Sequence, residues 1–82
     1  MITARQSRAA RALLGWTQEQ LADEARVSLT ALKRLESESG LEVYETPRDQ
    51  VRRAFEANGI LLLNSDQGIG VMHVQAKAVP KG

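Results

Sequence analysis

Trp16-Thr17-Gln18-Glu19-Gln20-Leu21-Ala22-Asp23-Glu24-Ala25, then Arg26-Val27-Ser28, then Leu29-Thr30-Ala31-Leu32-Lys33-Arg34-Leu35-Glu36 is the stretch whose reading decides the fold. Thr17 is placed to cap a helix and Gln20, three residues on, to close a reciprocal capping box, while Trp16 can staple onto Leu21 across the cap. A helix over Gln18–Ala25 follows, with Leu21, Ala22 and Ala25 at helical spacing. After only Arg26 and Val27 comes another cap, Ser28, with Val27 and Leu32 as the next staple and a helix from Leu29 to Glu36 or Ser37. Two short helices joined by three residues cannot lie antiparallel, so they are expected to cross steeply.

Upstream, Thr3 and Gln6 form a second capping pair, and a helix reads from about Ala4 to Leu14 with an apolar stripe of Ala9, Ala10, Leu13 and Leu14. Gly15 stands where a left-handed terminator is expected. Downstream, Ser37 to Glu45 has no sustained period and reads as a loop, with Leu41, Val43 and Tyr44 free to tuck against the core. Thr46 is expected as a cap and Pro47 as the first residue of a fourth helix that runs to Asn58, buries Val51, Ala54 and Phe55, and ends at Gly59. Ile60–Leu63, a five-residue loop over Asn64–Gly68, and Ile69–Val74 read as a β-hairpin. Because Ile60-Leu61-Leu62-Leu63 is apolar at four consecutive positions, both faces of that strand call for cover, and the helices supply only one. A second copy is expected on the other, through Ile60, Leu61, Leu62, Leu63, Val71, Met72 and Val74. Residues 75–82 read as a frayed tail.

The chain has 82 residues, 43% hydrophobic and 26% charged, which suits one small domain. A domain this small buries only about 60 to 65% of its unfolded surface, so its stability leans on whatever completes the core. With no cysteine and one histidine, His73, neither a disulfide framework nor a metal site is expected. No apolar run approaches membrane-spanning length and the N-terminus lacks a signal-peptide core, so a cytoplasmic protein is expected. No nucleophile has a histidine nearby and no glycine-rich turn offers a phosphate cradle, which argues against an enzyme and against any cofactor. The net charge of +1 conceals a distribution: residues 1–36 carry +2, residues 37–58 carry −2 and the remainder +1. A weakly basic N-terminal half permits nucleic-acid binding.

Plotting the third helix at 100° per residue sets Leu32, Leu35 and Glu36 on one side and Thr30, Lys33, Arg34 and Ser37 on the other. The second set suits base readout: Lys33 and Arg34 can donate to guanine, Thr30 to several bases, and Leu29 can meet a thymine methyl. Gln18 offers an amide and unpaired backbone N–H groups to a phosphate.

Arg11-Ala-Leu-Leu-Gly-Trp-Thr-Gln-Glu-Gln-Leu-Ala22, Val27-Ser28 and Leu32-x-x-Leu35-Glu36 resemble the Xre-type, or Cro/repressor-like, helix-turn-helix family of phage and bacterial regulators. The resemblance implies a mainly α fold, a four-helix domain over residues 1–59, here followed by the hairpin at 60–74 as dimerisation element. It implies that Leu29, Thr30 and Arg34 read bases, that Lys33 meets a base or a phosphate and is counted with the base-reading set, and that Gln18 and Ser37 approach the DNA backbone; Ser28 and Arg8 are added to that backbone set. Arg5 and Arg8 are read either as phosphate contacts or as solvated charges. By the same resemblance Arg11 and Glu36 form an interior ion pair, and Trp16 is a core residue. Arg26 stands where the family usually has glycine. The expected partners are a double-stranded DNA operator and a second copy of the chain; the rival is a protein-interaction module, an antitoxin or anti-activator that grips another protein with the hairpin.

Overall fold

The chain folds as α1 (Ala4–Leu14), α2 (Gln18–Ala25), α3 (Leu29–Glu36), α4 (Glu45–Ala57), β1 (Ile60–Ser65) and β2 (Gly68–His73) in a computed structural model that describes residues 2–37 and 45–74. It is a mainly helical domain with a two-stranded antiparallel hairpin. The tuck of Leu41, Val43 and Tyr44 and the frayed tail were expectations about residues outside those described.

Hydroxyl caps start the first three helices. Thr3 Oγ1 accepts from the Gln6 N–H and Gln6 Oε1 from the Thr3 N–H, both at 3.1 Å. Thr17 and Gln20 repeat the exchange at 3.1 and 2.8 Å, and Ser28 Oγ accepts from the Ala31 N–H at 3.0 Å. Each bond satisfies a first-turn donor that the helix itself leaves unpaired.

α1 and α2 end alike. Trp16 N–H reaches back to the Arg11 carbonyl at 2.9 Å and Gly15 N–H to Ala12 at 3.3 Å; Val27 N–H reaches Ala22 at 3.0 Å and Arg26 N–H reaches Asp23 at 3.3 Å. This closure needs a left-handed residue, and Gly15 supplies it at φ 71° in α1. In α2 it is Arg26 at φ 61°, the one non-glycine residue with positive φ among those described.

The core is built where the elements converge: Leu21 of α2, Leu32 and Leu35 of α3, Val51 and Phe55 of α4, Ile60 of β1 and Ile2 ahead of α1 are all buried. Burial of each such side chain is worth about 1.5–3 kcal/mol. Trp16 packs its ring on Phe55, with centroids 6.1 Å apart and planes at 21°. Arg48 Nη1 donates to the Ile2 carbonyl at 2.8 Å and so ties the N-terminal segment to α4. On the outer side of α4, Arg52 and Arg53 pair with Asp49, and the hydrogen bond from Arg52 holds the Asp49 carboxyl below its ordinary value.

Three local expectations are corrected. In α1, Leu13 is 47% exposed and Ala9 is exposed, while Gln6 and Ser7 are buried beside Ala10. Polar groups take the buried face because each finds a partner there. α4 begins at Glu45, so Thr46 lies within it and Pro47 is its third residue, still in the first turn where a missing N–H removes no helical bond. The hairpin loop has two residues, not five: Ser65 pairs with Gly68 across Asp66-Gln67. Ser65 Oγ accepts from the Gln67 N–H at 3.1 Å, which lets a polar side chain hold the tight turn.

Arg26→Gly removes a left-handed penalty of roughly 1–2 kcal/mol and gives back part of it through a more flexible unfolded chain. A net stabilisation of about 0.5–1 kcal/mol is expected in urea denaturation.

Candidate nucleic-acid interface

The Glu36 carboxylate, at the C-terminal end of α3, gathers donors from the two helices before it while Glu36 itself is only 4% exposed. Arg11 Nε donates to both of its oxygens at 3.1 and 3.0 Å and Arg11 Nη2 to Oε1 at 2.9 Å. Ser7 Oγ, wholly buried, donates to Oε2, and Gln18 Nε2 donates to Oε1 at 3.0 Å. Arg8 Nη1 donates to the Glu36 carbonyl, at the end of α3 where the helix dipole favours a cation. Arg11 Nη1 also donates to the Trp16 carbonyl at 3.3 Å, ahead of α2. One anion thereby fixes α1, α2 and α3 against each other.

With Leu32, Leu35 and Glu36 turned inward, α3 presents Thr30, Lys33 and Arg34 to solvent, and Ser37 follows them, also exposed. Leu29 is half-buried and packs on the core, so it offers an edge rather than a whole side chain. Ser28 is exposed at the start of α3. Its oxygen accepts the helix bond, which leaves the hydroxyl hydrogen to donate outward. Gln18 and Arg8, both expected at the DNA backbone, are half-buried and hydrogen-bonded to Glu36. Glu19, Asp23 and Glu24 are exposed on α2, away from its buried Leu21, Ala22 and Ala25. The head therefore carries cationic and polar side chains along α3 and exposed carboxylates on α2, with Glu19 and Asp23 bordering the same surface groove as Leu29.

The hairpin residues expected at an interface separate into two groups because successive strand residues face opposite ways. Ile60 is 1% exposed and belongs to the protomer's own core, with Leu62 and Val71 half-buried against it. This removes Ile60 from any interface of the folded protomer. Leu61, Leu63 and Met72 share the other face at 47, 44 and 48% exposure, with Val74 beyond them.

Sequence reasoning did not find Gln6 and Ser7 as buried polar residues, nor Gln18 as a partner of Glu36. The capping motif announced Gln6 as a helix-start residue, and nothing in the spacing announced that its amide nitrogen would reach the hairpin. Among the described residues no group of acidic, histidine or cysteine side chains is placed to hold a metal, and no helix is long and apolar enough to cross a membrane.

Arg11→Met leaves the Glu36 carboxylate buried without its cation, and a loss of about 3–5 kcal/mol is expected in urea denaturation. The double replacement with Glu36→Met is expected to recover much of that loss.

No curated protein and no solved structure matches the chain significantly. A family model described as helix-turn-helix matches residues 8–41, from the second turn of α1 through α2 and α3 into the stretch that follows. That span holds α2 and α3, the left-handed residue Arg26 between them and the Arg11–Glu36 ion pair. The match over residues 8–41 supports the resemblance of this segment to the Xre-type, Cro/repressor-like helix-turn-helix family of DNA-binding regulators.

Proposed function

We propose that the protein is a sequence-specific double-stranded DNA-binding transcription regulator, a repressor or controller, that acts as a homodimer on an inverted-repeat operator in the cytoplasm. The observation that carries the reading is the outward row of α3: Thr30, Lys33 and Arg34 are exposed on a helix whose opposite side is anchored in the core. A rigid helix with donors on one side is what entry into a major groove requires. Lys33 and Arg34 donate to guanine O6 and N7, Thr30 reads a neighbouring base, and the edge of Leu29 meets a thymine methyl. The hydroxyls of Ser28 and Ser37 lie at the two ends of this helix, within its reach of the phosphates. The second N–H of the Gln18 amide and the first backbone N–H groups of α2 serve the same backbone.

Leu61, Leu63, Met72 and Val74 supply the dimer contact, because they form one exposed apolar face on a hairpin whose other face packs on the core through Ile60, Leu62 and Val71 and leaves only its outer end, at Ile69, exposed. A two-fold axis through such a face presents two α3 helices to successive major grooves, about 34 Å apart for half-sites one turn apart. The rival reading, a hairpin that grips a different protein, draws on the same apolar face. The basic bias of the head favours the DNA reading.

Binding of the purified protein to the DNA upstream of its own gene tests the proposal: tighter binding than to a scrambled duplex, falling steeply with salt, is expected. Equal affinity for the scrambled duplex would overturn sequence specificity. Lys33→Ala or Arg34→Ala is expected to weaken operator binding by roughly five- to 150-fold, corresponding to about 1–3 kcal/mol for a good base contact. Their melting temperatures should stay near that of the parent. Leu63→Glu is expected to convert dimer to monomer in sedimentation at micromolar concentration, and a parent that sediments as a monomer would remove the hairpin dimer.

A further inference from the structure

Gln6 is 2% exposed and uses both ends of its amide. Its oxygen accepts from the Thr3 N–H at the start of α1, and its nitrogen donates to the Gly70 carbonyl at 2.9 Å, the Leu63 carbonyl at 3.2 Å and Asn64 Oδ1 at 3.3 Å. Leu63 and Gly70 face each other across the hairpin, so one side chain of α1 grips both strands at a single rung. That rung lies about 10 Å, three residues, from Ile60, where the ribbon enters the core. At the ribbon's root, Val74 N–H pairs with the Gly59 carbonyl at 2.7 Å and Ile60 is buried.

Apart from Gln6 the ribbon is held by Ile60 at its root and by the half-buried Leu62 and Val71, apolar contacts that resist separation more than sliding and so leave it able to pivot. A directional donor on both strands 10 Å out, by the same strand rise, stops the pivot. The next residue on α1, Ser7, bonds to the Glu36 carboxylate that fixes α3. Consecutive buried residues of one helix therefore hold the hairpin on one side and the reading helix on the other.

We infer that Gln6 is a specificity-determining positioning residue: by locking the hairpin to α1, it sets the angle and distance between the two α3 helices of a dimer and so selects the spacing of operator half-sites. The inference rests on the hairpin-dimer reading of the proposed function. Changing the spacing by one base pair shifts a half-site by about 3.4 Å and turns it by about 34° around the duplex. A locked hairpin cannot follow that change, whereas a pivoting one can.

The test uses the full chain on duplexes carrying a selected half-site alone or as inverted repeats whose separation varies by one or two base pairs either way. For the parent, a loss of about tenfold or more per base pair of displacement is expected, of the order that misplaced base contacts cost. Gln6→Met keeps the volume and removes the donor; its half-site affinity should stay within about twofold of the parent, while its spacing penalty falls to about threefold or less. Gln6→Asn, which withdraws the amide by one methylene, should relax the profile in the same way and serves if the methionine variant does not melt cooperatively. A folded Gln6 variant that keeps the parent's spacing profile overturns the inference and leaves the dimer reading intact. A parent that binds no inverted repeat better than a half-site overturns the dimer reading and the inference with it.

Discussion

The arrangement of the first three helices depends on one buried carboxylate. Glu36 accepts from Arg11 and Ser7 of α1 and from Gln18 of α2 while standing at the end of α3. A charge placed there without partners would be among the costliest features a small domain could carry. Satisfied from three directions, it becomes a geometric constraint, because each donor is useful only at hydrogen-bond distance and angle. The apolar core beneath, Leu21, Leu32 and Phe55, supplies cohesion without direction. Glu36 supplies the direction, and the outward set of α3 inherits it.

Much of this was legible because local chemistry and tertiary packing agree over residues 16–37 and at both ends of α1. Thr3, Thr17 and Ser28 mark helix starts by hydroxyls that can do little else so well, and Gly15 marks a stop. The outward set Thr30, Lys33 and Arg34 follows from helical period once Leu32 and Leu35 are assigned inward. Beyond residue 44 the local signals mislead by a residue or more. Thr46-Pro47 looks like a cap and a first residue, yet any position of the first turn tolerates proline, so the pair cannot fix the boundary. Asn64-Ser65 looks like loop, but Asn64 is held in the strand with its side chain against Gln6, and Ser65 stabilises the turn from inside the ladder.

The least legible residues were polar ones with buried destinations. Gln6 and Ser7 sit on an arginine- and alanine-rich helix whose apolar stripe pointed to Leu13 instead. A helical period assigns an inward face by hydrophobicity, and it fails where hydrogen bonds to distant elements set that face. Gln6 finds Leu63 and Gly70 more than fifty residues away, and Ser7 finds Glu36. Such pairings are properties of the assembled fold and leave no spacing to read in one sequence.

The opposed charges of the head bear on how it searches. Lys33 and Arg34 lie along α3 and Glu19, Asp23 and Glu24 are exposed on the neighbouring α2, so the summed attraction to a polyanion is small. Non-specific affinity for DNA grows with the number of phosphates neutralised, and genomic DNA offers vastly more wrong sites than right ones. On the proposed function, a head with few cations would spend little time on each wrong site. Its discrimination would then come less from holding an operator tightly than from letting everything else go.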